Sequence, residues 1–210
     1  MKSIGRILLI TLILLFSKSI SGQSVSAELT SMETFWAFSG SFGAKLSRSG
    51  RLNFSNTSRI SSDYPGEEEM RMLVLSNVGY SITPNLKSTV GEMYSNSSGL
   101  KPTVGLQYMV SKKRFQWMLF PNFNIGRRTD LMNISMFQCL RGFSEKVKFV
   151  FRMQSLSILN GKGHSFSTVR FRSGFVRGRY QYGAAADLNF FDRNFEFTDR
   201  FGMVLQYKLL

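Results

Sequence analysis

The sequence predicts an all-β chain, a transmembrane antiparallel up-and-down β-barrel of about twelve strands joined by short loops. Three observations carry this. From residue 23 almost to the C-terminus, apolar and polar side chains alternate in segments of roughly ten residues separated by turn formers, the pattern of a strand with lipid on one face and a wet interior on the other. Beyond Gly22 no apolar run is long enough for a membrane helix, which needs about 20 residues. Most of the 20 Phe, 7 Tyr and 2 Trp fall on alternate positions, as a lipid-facing surface and its interfacial belts require.

Residues 1–22 have the layout of a secretory signal peptide. Lys2 and Arg6 form a basic start, Ile7 to Phe16 an apolar core, and Ser17 to Gly22 a small-residue cleavage region. Cleavage is expected before Gln23, leaving residues 23–210 as a single barrel domain. No cysteine lies near that site, which argues against a lipoprotein anchor. Cys139 is the single cysteine and has no partner for an intramolecular disulfide. The formal charge is +14; the 27 Lys and Arg less Lys2, Arg6 and Lys18 leave 24 against 13 Asp and Glu, a net +11 for the mature chain. Such a balance attracts anionic partners. Export and the strand pattern argue against nucleic acid as one of them. The mean hydropathy of −0.08 suits strands that are polar on one face.

The strands can be placed in order. Ser24 to Leu29 alternates weakly. Segments 34–45 and 51–60 follow, and then Met70, Met72, Val74, Val78 and Tyr80 oppose Arg71, Asn77 and Gly79 over 69–81. A turn at Thr83-Pro84-Asn85 leads into 85–95. Residues 100–110 and 114–126 read as one hairpin: Phe115, Trp117, Leu119, Pro121, Phe123 and Ile125 form one face of its second strand, Gln116, Met118, Phe120, Asn122 and Asn124 the other. Segments 131–141, 146–158, 164–175, 178–190 and 195–209 complete the chain. From Thr34 onward this gives eleven strands. Parity requires an even number with both termini in the periplasm, so Ser24–Leu29 is counted as the twelfth, with ten as the fallback.

The terminal segment Phe201-Gly-Met-Val-Leu-Gln-Tyr-Lys-Leu-Leu210 resembles the closing strand of Gram-negative outer-membrane barrels. The resemblance implies that Phe201, Leu205, Tyr207 and Leu209 form a signal read by the barrel-assembly machinery. It departs from the usual pattern in ending on Leu210 rather than Phe. The whole mature region is similar in pattern to small Gram-negative outer-membrane β-barrel proteins, and in general design it resembles the narrow bacterial channels that admit acidic sugars. Outer-membrane localisation and contact with lipid and lipopolysaccharide are expected accordingly.

With the C-terminus periplasmic, turns near 48, 83, 112, 143 and 176 lie on the periplasmic side and loops near 31, 64, 97, 128, 161 and 192 outside. Tyr80, Tyr108, Phe115, Trp117, Tyr180 and Tyr207 then form a periplasmic girdle. Arg127, Arg128 and Lys162 at outer loops suit contact with lipopolysaccharide phosphates.

Assigning the more apolar face to lipid leaves a basic interior. Arg71, Arg114, Arg152, Arg170, Arg172, Arg179 and Arg200 are the candidate lumen sites for anions; Arg51, Arg59, Lys101, Arg141, Lys148 and Lys208 share their phase. Only Asp187 and Glu196, with Glu92 as a third candidate, oppose them. The leading function is a narrow channel or binding site for small anionic solutes. Two alternatives stand beside it: a closed structural or surface-interaction barrel, and a lipid-modifying barrel enzyme using His164, the only histidine. Ser165 beside it is a poor nucleophile partner, because neighbours on a strand face opposite sides. No metal-ligand cluster, phosphate-binding glycine loop or cofactor motif is present.

Overall fold

In the computed structural model, which describes residues 24–64, 70–126, 129–191 and 194–209, the chain is a closed antiparallel barrel. The strands are β1 (Ser24–Met32), β2 (Phe35–Lys45), β3 (Leu52–Asp63), β4 (Arg71–Ser81), β5 (Leu86–Ser95), β6 (Gly99–Ser111), β7 (Phe115–Asn124), β8 (Asp130–Gly142), β9 (Val147–Asn160), β10 (Gly163–Arg177), β11 (Tyr180–Phe191) and β12 (Glu196–Lys208). Each pairs with its sequence neighbours, and β1 closes on β12 from Ser26↔Lys208 to Met32↔Gly202. Twelve strands are thus formed, the first longer than the Ser24–Leu29 that the alternation marks. The segment expected to be cleaved, together with Arg127, Arg128 and Leu210, lies outside the described residues.

Local chemistry explains the punctuation. Thr83 Oγ1 accepts the backbone N–H of Asn85 (3.3 Å) and of Leu86 (3.0 Å), tying the β4–β5 turn. Gly178 turns β10 into β11 with φ +59°, where a Cβ would be strained. Pro121 sits where the β6–β7 ladder skips between Gly105↔Asn122 and Tyr108↔Leu119, because proline has no N–H to donate.

The outer face is the apolar one. Tyr80, Tyr108, Phe115, Trp117, Tyr180 and Tyr207 point outward and are exposed or half-buried near the end that carries both termini. Tyr108 meets Trp117 edge-on at 5.8 Å, and the Tyr180 and Tyr207 rings lie 4.9 Å apart. Phe201, Met203, Leu205, Tyr207 and Leu209 alternate outward along β12, and the Leu209 N–H donates to Val25 O at 2.9 Å. If this face meets hydrocarbon, Leu119→Arg and Ala184→Arg should each cost about 2–4 kcal/mol near the midplane, and Gln107→Arg, inside the barrel, far less. Denaturant unfolding in vesicles measures both; equal penalties would show that the outer face is not in lipid.

Two phase assignments are corrected. Arg141 pairs with Phe149 on the outward face, since Leu140 and Val150 take the inward positions; the break comes where both phases of β8 are mixed. Glu92 also faces out, paired with Ser76 and Pro102, with Asn56 Nδ2 donating to Ser76 Oγ at 2.9 Å alongside. This is a polar break in the apolar belt over β3–β5.

Candidate functional site

Inward-facing side chains enclose a cavity of about 1270 Å³. Its lining runs from Asp63, Arg71 and Lys101 near the loop end to Gln107, Met118 and Gln206 farther in. At the end that carries Ser24 and Leu209, Thr89, Val150 and Gln181 are buried and lie outside the cavity lining.

The centre of the cavity wall is ionic, and register explains why. Arg170 on β10 pairs with Asp187 on β11, which pairs with Arg200 on β12; Arg152 on β9 pairs with Arg172 on β10. All these side chains therefore point the same way. Arg172, 2% exposed, donates through Nη1 to Asp187 Oδ1 at 2.7 Å and through Nε to Glu28 Oε1 at 3.4 Å. Asp187 Oδ2 also lies 3.5 Å from Arg59 and 3.8 Å from Arg170. Glu28 is paired with Arg152 as well, and Thr30 Oγ1 donates to it at 3.4 Å. Four guanidiniums thus surround two carboxylates, a local excess of two positive charges. Two of their buried donors, Arg170 Nε and Arg172 Nη2, have no acceptor among the described residues.

A second ionic group sits toward the loop end. Asp63 lies 3.0 Å from Arg71 and 3.8 Å from Arg200, whose guanidinium stands 4.8 Å from the centre of the Phe35 ring. Across the mouth Lys101 donates to Asp130 Oδ2 at 2.5 Å.

Of the sequence-predicted anion sites, Arg152, Arg170, Arg172, Arg200 and Arg71 line the cavity together. Arg114 and Arg179 do not. Both are exposed in turns at the end that carries the termini, where their carbonyls accept the N–H groups of Leu140 and Lys208. Arg59 joins the central cluster. Glu28, on the weakest strand of the sequence, is the acid that counting opposing charges missed; Glu196 is inward but exposed at the far end of β12.

The opposite arc, β4 to β9, is apolar where the phase argument expects a polar lumen face: it carries Leu75, Met93, Phe120 and Met132 in one buried cluster against Leu73, Ile134, Leu156 and Ile158. All eight line the same cavity. In β4 and β9 both phases hold apolar residues, so alternation alone hid this wall.

His164 points outward at the loop end, opposite Leu159, while Ser165 lines the cavity. A bulge between His164 and Phe166 brings His164 Nε2 to 2.8 Å from Ser167 Oγ. The Ser167 hydroxyl in turn donates to Ser157 at 2.9 Å, away from the imidazole. The imidazole is also stacked on Phe195 at 4.4 Å.

No protein-family model matches the chain, and no curated protein matches its sequence. Solved structures do. The KdgM porin in complex with disordered oligogalacturonate is similar with a TM-score of 0.52 at 8% identity, over 88% of this chain and 98% of that one. The NanC porin is similar with a TM-score of 0.51 at 10% identity, over 90% and 100%. At such identity the likeness is one of fold: the chain is a closed twelve-stranded antiparallel barrel of the kind found in outer-membrane porins.

Proposed function

We propose that this protein is an outer-membrane barrel, exported by its signal peptide, whose lumen passes or holds small anionic solutes. The observation that carries the reading is the excess of two positive charges in the Arg59, Arg152, Arg170, Arg172, Glu28 and Asp187 cluster, set in the wall of the cavity. Guanidinium groups in a cavity wall are matched in shape and charge to a carboxylate or phosphate. The porin-like fold supports a solute path, and the oligogalacturonate named with KdgM is itself anionic. No catalytic step is assigned.

The experiment removes the excess without orphaning the carboxylates. Arg59 and Arg170 hold Asp187 only at 3.5 and 3.8 Å, so Arg59→Gln with Arg170→Gln leaves two arginines against two acids. Reversal potentials across a salt gradient should show anion preference in the wild type, weaker at high salt through screening, and little in the double variant. The buried Thr89, Val150 and Gln181 favour a second reading, a closed structural barrel. A wild type without conductance would establish that reading instead, and a conducting wild type whose selectivity is unchanged in the variant would show that this cluster does not set it.

A further inference from the structure

We infer that the solute is an amphiphilic anion, a carboxylate carried on a compact apolar body such as an aryl or alkyl chain, rather than a hydroxylated sugar acid. The inference rests on the proposed function above and deepens it. The lumen has two unlike walls that meet at both seams. Arg59 on β3 stands directly opposite Leu73 on β4, and Thr57 opposite Leu75. On the other side, Gln154 pairs with Arg170 while Leu156, two residues on, pairs with Ile134 and Thr168. A molecule lying against either seam touches guanidinium with one end and branched aliphatic side chains with the other.

Water and hydrated ions gain nothing from the apolar wall. Leaving it wet forfeits roughly 25 cal/mol for each Å² that a ligand's own apolar surface would cover. A polyhydroxylated solute would also bring hydroxyl groups against Leu73, Leu75, Ile134, Leu156 and Ile158, whose side chains have no donors or acceptors for them, and an unpaired buried hydroxyl is costly. Leu73, Ile134, Leu156 and Ile158 are only partly buried, so the wall stays accessible from the cavity. Phe120, Met132 and Met93 pack against them and line the same cavity, and Met118 and Met136 extend the lining with side chains that adapt to irregular apolar shapes.

Three probes of similar size separate the contributions: 3-phenylpropanoate has charge and ring, a hexuronate has charge without ring, and 3-phenylpropanol has ring without charge. Binding to the refolded full-length mature barrel is read by calorimetry, and block of its current in planar bilayers in parallel. Phenylpropanoate should bind roughly tenfold more tightly than the hexuronate, the gain expected from covering one face of a ring, and roughly tenfold more tightly than the alcohol, the gain expected from a charge-assisted hydrogen bond. Leu75→Asn with Ile134→Asn should lower it to the level of the hexuronate. Arg170→Gln should lower it to the level of the alcohol. If the double wall variant lacks the heat-modifiable migration of a folded barrel, Leu156→Gln is used in its place. A hexuronate that binds as tightly as phenylpropanoate, in a barrel that keeps anion preference, overturns this inference alone. A barrel that neither conducts nor binds either anion overturns the function on which it rests.

Discussion

Asp187→Ala should destabilise the barrel by about 3–5 kcal/mol, the usual result of removing one partner from a buried ion cluster. Asp187 is 3% exposed and faces Arg172, Arg59 and Arg170, so its loss leaves three guanidiniums crowded around an apolar methyl. The penalty comes from the orphaned charges rather than from the worth of the ion pairs themselves. Adding Arg172→Met to Asp187→Ala restores the cluster's net charge and removes the most deeply buried cation. The double variant should therefore recover a large part of the loss, giving a strong coupling term in a double-mutant cycle. Denaturant unfolding in vesicles is the measurement. A cost for Asp187→Ala under about 1 kcal/mol, the range of exposed pairs, would mean that water already solvates the cluster.

Deleting Gln206 to Leu210 should abolish assembly altogether. The resemblance of the final strand to an assembly signal motivates this, and the register adds a mechanical reason. Gln206, Tyr207 and Lys208 supply the pairs to Glu28, Ala27 and Ser26 that close the barrel, and Gln206 is 6% exposed inside it. Without them three residues of β1 become an open edge, which a bilayer does not tolerate. Cells should accumulate the truncated chain as a protease-sensitive periplasmic species without heat-modifiable migration. A truncated chain that reaches the membrane folded would separate Tyr207 and Leu209 from any role in assembly.

Strand number and most boundaries were legible because a strand between two solvents writes its phase into every second residue. The hairpin of β6 and β7 is the clearest case, placed within a few residues at every end. Legibility failed where both phases share one polarity. Met72-Leu-Val-Leu75 is apolar on both faces and Leu131-Met-Asn-Ile134 carries apolar residues on both, so the inward Leu73, Leu75, Met132 and Ile134 were invisible to an argument that equates lumen with polar. Charge partners failed for another reason. That Glu28 meets Arg152 and Arg172 depends on closure of β1 against β12, which sequence distance conceals. Arg114 and Arg179 show the converse: correct phase does not place a residue in the lumen when it lies in the turn beyond the strand end.

The cross-lumen ion pairs join positions remote along the chain: Glu28 and Arg152 are 124 residues apart, Glu28 and Arg172 144. Hairpins formed between sequence neighbours can assemble without them, and each pair must wait for the circle to be complete. They are latches set last. Interactions absent from the transition state leave the folding rate nearly untouched and act on escape from the native state. The cost of removing Glu28, which on β1 meets Arg152 on β9 and Arg172 on β10, should therefore appear as faster unfolding, so that these remote pairs govern how long a finished barrel persists rather than how quickly one is made.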